Sequence, residues 1–292
     1  MATPTQWLEG ARPRTLPAAV SPVVAGSGIA AYSGGFTLGP ALLCLVVALA
    51  LQVGVNYAND YSDGVRGTDA DRVGPMRLVG SGSAEPAAVK RAAFASFAVA
   101  GLTGLTIVAL TQLWWLLLVG AAAIAAAWFY TGGTRPYGYL GLGEVFVFVF
   151  FGLVAVGGTV LVQLGHTTPA TWAAAVTIGS LACAILVANN LRDLRGDAAV
   201  GKRTLATRLG DRGTRWFFAA LVAVATLSVL LVAWWTTAWA LLGLALVVVL
   251  AGAVREVLAG GTGRALIGVL KRVGLGQLAA AVGLALGLVI GA

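Results

Sequence analysis

Two short acidic segments carry the residues best suited to chemistry. The first reads Asn56-Tyr57-Ala58-Asn59-Asp60-Tyr61-Ser62-Asp63, with Asp69 and Asp71 following; the second reads Asn189-Asn190-Leu191-Arg192-Asp193-Leu194-Arg195-Gly196-Asp197. On a helix, Asn56, Asp60 and Asp63 share a face, and so do Asp193 and Asp197. Crowded carboxylates repel one another and are costly at the end of an apolar helix unless paired, so a bound cation is the expected counter-charge. Neither segment has a His or Cys beside it, and an all-oxygen donor set selects a hard ion. Mg²⁺ fits, because it takes one or two carboxylates and fills its octahedron with waters and phosphate oxygens. Two such clusters facing one another would grip a diphosphate, with Arg77, Lys202 and Arg203 as charge-assisted donors. The plainer alternative is that the aspartates pair with Arg66, Arg72, Arg192 and Arg195 and cap their helices. The matched placement of two clusters, each with Asn before it and cations after it, argues against that.

These clusters must be carried by membrane helices. Of the 292 residues, 59% are hydrophobic and 10% charged, and the mean hydropathy is +0.90, far from a soluble composition. Apolar runs fall near 15–33, 39–59, 92–111, 113–130, 144–163, 170–190, 216–235, 237–253 and 273–291, each close to the ~20 residues that one span requires. The expected architecture is all-α, nine transmembrane helices around a central cavity, in a single polytopic domain covering 1–292. All 19 Lys and Arg fall in the N-terminal segment and the stretches 60–91, 131–143, 191–215 and 254–272, which are alternate loops on one side of the spans. The positive-inside rule makes that face cytoplasmic, so the N-terminus and both acidic clusters lie inside and the C-terminus outside, in a multi-pass protein of the cell membrane. This topology accounts for the net charge of +8, and no nucleic-acid partner is expected.

The remaining residues read more plainly. Cys44 and Cys183 sit singly in apolar runs, as small core residues. The N-terminal segment shows no cleavage pattern and is read as retained, with Trp7, Arg12 and Arg14 as anchors at the headgroup level. His166 falls in an external loop, away from any chemistry. Glu144 opens an apolar run after Gly143, where helix-dipole pairing and a site role are equally open. A transporter is the rival class, but its charges would more often sit at the membrane midplane than at the cytoplasmic ends of spans.

The acidic segments end the second and sixth apolar runs, an offset of four spans that preserves orientation and suggests a parallel internal repeat. At this level the sequence resembles the UbiA superfamily of intramembrane prenyltransferases. Three stretches carry the likeness: Asn59-Asp60-Tyr61-Ser62-Asp63 through Gly67-Thr68-Asp69 to Gly74-Pro75-Met76-Arg77; Tyr130 to Glu144; and Asn189-Asn190-Leu191-Arg192-Asp193 to Gly201-Lys202-Arg203-Thr204-Leu205-Ala206. It is strongest to the branch that prenylates 1,4-dihydroxy-2-naphthoate in menaquinone biosynthesis. The pattern departs from the superfamily where many members have a third aspartate, since Gly67 stands there and Asp69 comes later.

The resemblance implies a polyprenyl diphosphate held by Mg²⁺ under a cytoplasmic cap, its tail in a tunnel open to the lipid bilayer, and transfer to the naphthoate with loss of CO₂ to give demethylmenaquinone. It places Asp60, Asp63, Asp193 and Asp197 on the metal, and Tyr130 and Tyr139 beside an allylic cation. Asn56, Asn59, Arg66, Arg77, Arg135, Asn189, Asn190, Lys202 and Arg203 are then expected to contact substrates, Arg135 by meeting the acceptor carboxylate. Acceptors such as 4-hydroxybenzoate, homogentisate or a porphyrin would use the same chemistry.

Overall fold

The structure, a computed structural model, describes residues 2–67 and 76–292; Asp69, Asp71, Arg72 and the Gly74-Pro75 step lie outside the described residues. Among the described residues every regular element is helical. The helices are α1 (Pro4–Gly10), α2 (Pro17–Tyr32), α3 (Leu38–Arg66), α4 (Pro86–Thr111), α5 (Leu116–Phe129), α6 (Gly143–Val147), α7 (Ala155–Leu164), α8 (Pro169–Ala199), α9 (Leu205–Trp235), α10 (Ala245–Leu258) and α11 (Arg264–Ile290). A π-helical stretch, Phe148–Val154, joins α6 to α7, and a 3₁₀ stretch, Ala238–Leu244, leads into α10.

Each apolar run of the sequence coincides with one of these helical segments. Seven segments are long and apolar enough to cross a membrane, and an eighth is a bent pair in which Pro4–Thr15 meets Pro17–Tyr32 at 48°. The ninth run holds α5, of 14 residues. Large apolar side chains point outward, Val248 84% and Trp234 82% exposed, which is the arrangement a hydrocarbon solvent requires. The helices also extend past their apolar runs into charged sequence. α3 carries the first acidic cluster and ends at Gly67 (φ 71°), whose N–H returns to the Asp63 and Gly64 carbonyls. Glycine takes that left-handed conformation without a Cβ clash, so Gly67 stops the helix here.

The chain packs as two apolar halves. One joins α2, α7, α8, α9, α10 and α11 around Ile29, Val156, Ile178, Leu181, Phe218, Leu250 and Leu284. The other joins α1, α3, α4 and α5 around Tyr57, Leu78, Val89, Phe97 and Ala127. The α3–α4 and α8–α9 hairpins each hold an acidic cluster at their joined ends. α8 is buried along most of its length because its sequence is small there, with Ala173, Ala174, Ala175, Gly179, Ala182 and Ala184 letting neighbours approach. The closest approach is to the π-helical stretch: a Cβ on Gly152 would meet the Ala175 carbonyl oxygen at 2.7 Å and the Gly179 Cα at 2.8 Å.

That contact is testable. Gly152→Ala should overpack the seam with backbone that cannot yield and cost about 1–3 kcal/mol, while Gly158→Ala, whose Cβ meets nothing within 4 Å, should be neutral. Thermal unfolding of the two variants in detergent separates them, and equal midpoints would refute the backbone contact.

Candidate active site

Between the two halves lies a cavity of about 1340 Å³. Its walls are apolar along α3, α4, α5, the π-helical stretch and α7, and its polar end gathers Asn56, Asn59, Asp63, Arg77, Asn189, Asn190, Asp193, Asp197 and Lys202. Both acidic clusters therefore open onto one space, from helices in different halves.

The two aspartates of the first cluster differ sharply. Asp63 lines the cavity, its Oδ1 accepting the Tyr139 hydroxyl at 2.7 Å and its Oδ2 lying 3.5 Å from an Arg77 guanidinium nitrogen. Asp60 does not line it. Fully buried, it accepts the Leu78 amide at 2.7 Å and the Val79 amide at 3.0 Å, one on each oxygen. In this arrangement the Asp60 carboxylate, expected on the metal, holds the Leu78–Val79 segment against the helix. The buried Leu78 then packs where α1 ends, so close to Gly10 that a Cβ there would meet Leu78 Cδ1 at 2.7 Å.

Asn56 and Asn59 reach the cavity and also tie its walls together. Asn56 Nδ2 donates to the Ala11 carbonyl and to Thr15 Oγ1, both at 2.9 Å, fastening the N-terminal segment to α3. Asn59 Oδ1 accepts the Thr131 hydroxyl at 2.7 Å. Arg66 is not on the cavity wall; its guanidinium donates to the Thr131 and Gly133 carbonyls, so the substrate contact expected of it becomes a clamp on the loop after α5. Trp7 likewise turns from the headgroup role, packing edge-on against Tyr57 at 5.6 Å.

In the second cluster Asp193 and Asp197 both line the cavity, one helical turn apart. Arg192 holds Asp193 with two bonds of 2.7 Å and reaches Asn189 Oδ1 at 2.8 Å, so the plainer pairing reading holds for this one arginine. Lys202 Nζ lies 3.6 Å from Asp197 Oδ1. Asn190 donates to the buried Glu144 at 3.0 Å, which gives Glu144 a positioning place behind the cavity wall.

The tyrosines separate as well. Tyr139 has Lys202 Nζ 4.5 Å and Arg66 Cζ 5.5 Å from its ring centroid, and its carbonyl accepts the Arg203 amide at 3.0 Å. A ring already engaged by two protein cations, with its hydroxyl on Asp63, links the clusters rather than facing an allylic cation. Tyr130 and Tyr137 line the cavity with rings T-shaped at 5.5 Å. Tyr137, not singled out from sequence, stacks on Phe146 at 4.0 Å and donates to the Ala126 carbonyl at 2.8 Å; burial raises its phenol well above the ordinary range, so it stays a donor at neutral pH.

Besides Arg66, two further expected substrate contacts are absent from the cavity wall, Arg135 and Arg203, both exposed. Three cations read as headgroup anchors or loop charges are on it instead, namely Arg12, Arg14 and Lys271. The only sequence signal for them is their position among cytoplasmic charges, which many solvated cations share. Arg12 stands out in the structure by its left-handed backbone (φ 54°), a strained state for a residue with a Cβ.

The fold and its site are accompanied by a direct sequence match: the profile of the UbiA prenyltransferase family aligns with residues 19–266. The chain belongs to this family. The UbiA-family chain is 52% identical over its whole length to a Mycobacterium tuberculosis protein named 1,4-dihydroxy-2-naphthoate octaprenyltransferase, covering 99% of it. It is 41% identical to the Escherichia coli protein of the same name, with 74% of this chain and 72% of that protein aligned. Among solved structures, an apo UbiA homolog from Aeropyrum pernix matches with TM-score 0.69 at 18% identity, over 94% of this chain and 97% of that one. A UbiA homolog from Archaeoglobus fulgidus bound to GPP and Mg²⁺ matches with TM-score 0.66 at 14% identity, over 98% and 99%. At those identities the structural likeness shows the UbiA fold.

The division between Asp60 and Asp63 gives a measurable contrast. Asp60→Asn replaces one acceptor by a donor opposite a buried amide and should cost about 1–3 kcal/mol, lowering the melting temperature and speeding amide exchange at Leu78 and Val79. Asp63→Asn, which does not touch these amides, should leave their exchange near wild type. Unchanged exchange at Leu78 in the Asp60 variant would remove its positioning role.

Proposed function

We propose that this protein transfers a polyprenyl group from an allylic polyprenyl diphosphate to 1,4-dihydroxy-2-naphthoate, at the cytoplasmic face of the cell membrane and with Mg²⁺. The observation that carries the reading is a single cavity with Asp63, Asp193, Asp197, Arg77 and Lys202 at one end and apolar walls leading away from them. Along α3 the lining residues run from Cys44 to Asp63, about 28 Å at 1.5 Å per residue, so a long hydrocarbon tail fits below a charged head. The names of relatives at 41% and 52% identity favour the naphthoate as acceptor.

The donor chemistry at the polar end suits Mg²⁺: Asp63, Asp193 and Asp197 offer only oxygen. Among the described residues no three acidic, His or Cys side chains converge on one point, so any ion there draws part of its shell from water and phosphate. Bound Mg²⁺ supplies neutralisation of the leaving diphosphate. Arg77 and Lys202, paired here with Asp63 and Asp197, are placed to exchange those partners for phosphate oxygens as the head group enters. The apolar wall excludes water from the allylic carbon, and Tyr130 and Tyr137 offer ring faces near it. The allylic C–O bond breaks with its electron pair leaving on diphosphate. The ring carbon bearing the carboxylate bonds to the allylic carbon, then the bond to CO₂ breaks and returns its electrons to the ring. The product is the prenylated naphthalenediol, the reduced form of demethylmenaquinone.

Purified enzyme given a polyprenyl diphosphate and 1,4-dihydroxy-2-naphthoate should yield that mass and one CO₂ per turnover, and stop in EDTA. Preference for 4-hydroxybenzoate, or a product that keeps its carboxylate, would replace the acceptor assignment. Asp63→Asn, Asp193→Asn and Asp197→Asn should each lose about 10-fold or more, the usual loss at a metal site; full activity in any two would overturn the metal reading. Arg77→Ala and Lys202→Ala should raise the KM for the diphosphate far more than that for the acceptor, and equal shifts would remove their assignment.

A further inference from the structure

Five of the six cations on the cavity wall, all but Arg12, fall into two sets. Arg77, Arg192 and Lys202 each pair with an aspartate of the acidic clusters. Arg14 and Lys271 have no ion pair with any described acidic residue, yet both line the same cavity. They come from opposite ends of the chain. The turn Pro13–Thr15 packs against α11, and Lys271 lies two turns inside that helix rather than in a loop. Around them the wall is made of Thr15, Pro17, Ala18, Ile267, Gly268 and Gly274, with no carboxylate among them. Beside them Thr15 Oγ1 accepts from Asn56 at 2.9 Å and from Gln52 at 3.2 Å, which fixes the turn that carries Arg14.

Two exposed cations at the edge of a largely apolar space, with no ion pair to a described acidic residue, attract an anion that brings its own apolar body. The diphosphate end of the cavity already has both its metal-type carboxylates and its own cations. We infer that Arg14 and Lys271 form the subsite for the carboxylate of the aromatic acceptor, the role that sequence had given to Arg135. This inference rests on the proposed reaction. A planar aromatic acid with its carboxylate on this pair lies on the smooth wall formed by Pro17, Ala18 and Gly268, and shape with charge then selects it over uncharged rings. A lipid phosphate is the other anion such a pair could hold at a membrane surface, and the test separates the two.

The test uses the full-length enzyme in vesicles of uncharged phosphatidylcholine and in vesicles with added anionic phosphatidylglycerol, with 1,4-dihydroxy-2-naphthoate and with 1,4-dihydroxynaphthalene, which lacks the carboxylate. Arg14→Gln and Lys271→Gln should each raise the KM for the naphthoate, and reduce its preference over the uncarboxylated diol, by about tenfold or more, the loss expected for one charge-assisted bond. Arg14→Lys and Lys271→Arg should recover most of that preference. An unchanged preference, an equal loss on both acceptors, or a rise confined to the diphosphate KM overturns the subsite. A defect seen only as altered dependence on anionic lipid assigns the pair to headgroups instead. Lys271 is exposed at the rim, so its variant decides the matter should replacement of Arg14 disturb the N-terminal turn. Wild-type enzyme that ignores the naphthoate defeats the proposed reaction itself, whereas wild type that uses it with unaltered variants defeats only the subsite.

Discussion

The hydrogen bond from the Tyr139 hydroxyl to Asp63 holds together the polar end of the molecule, which would otherwise be three separate loops. Through it the loop after α5 reaches the first acidic helix. Through the Tyr139 carbonyl and ring the same residue reaches Arg203 and Lys202, and Lys202 reaches Asp197 on the second acidic helix. Every carboxylate facing the cavity is thereby set beside a cation or a hydroxyl. That is the condition for keeping charges at the mouth of an apolar space, because each unpaired one would carry the desolvation cost of an ion in a poor solvent. Arg66 clamping Thr131 and Gly133 and Asp60 clamping Leu78 and Val79 brace the frame from outside.

The apolar helices could be read directly because a run of about 20 apolar residues has few other uses, and the charged loops could be read because loops concentrate Lys and Arg. The clusters around Asp63, Asp193 and Asp197 were legible for a related reason: residues four apart on a helix share a face whatever the helix packs against. Asp60 is the complementary case. Its neighbours in sequence place it on that face as well, and only the amides of Leu78 and Val79, far along the chain, show what its carboxylate meets. Arg14, Lys271 and Arg135 have the same local texture in sequence and all three are exposed; that the first two border the cavity and Arg135 does not is set by long-range packing that no periodicity reports.

The π-helical stretch had no advance sign either. Wider winding lets the consecutive rings of Phe150 and Phe151 both line the cavity, while Gly152 meets α8 backbone to backbone. Such widenings recur where a helix has to serve a site on one side and a tight seam on another. The half of the molecule around α8 is thus close-packed through small residues. The other half meets the cavity along α4 and α5 with Gly104 and Gly120, where an added Cβ would touch nothing.

α5 has a consequence for the lipid as well as for the protein. Its 14 residues rise only about 21 Å against a hydrocarbon layer of ~30 Å, and Trp114 and Trp115 lie exposed just before its first turn. A span this short would match the hydrocarbon layer only where the two leaflets draw together, at a cost of fractions of a kcal/mol per Å of mismatch. Because α5 forms part of the cavity wall, such thinning would fall beside the cavity, and the bilayer's own elasticity would then ease the entry of the apolar tail proposed above.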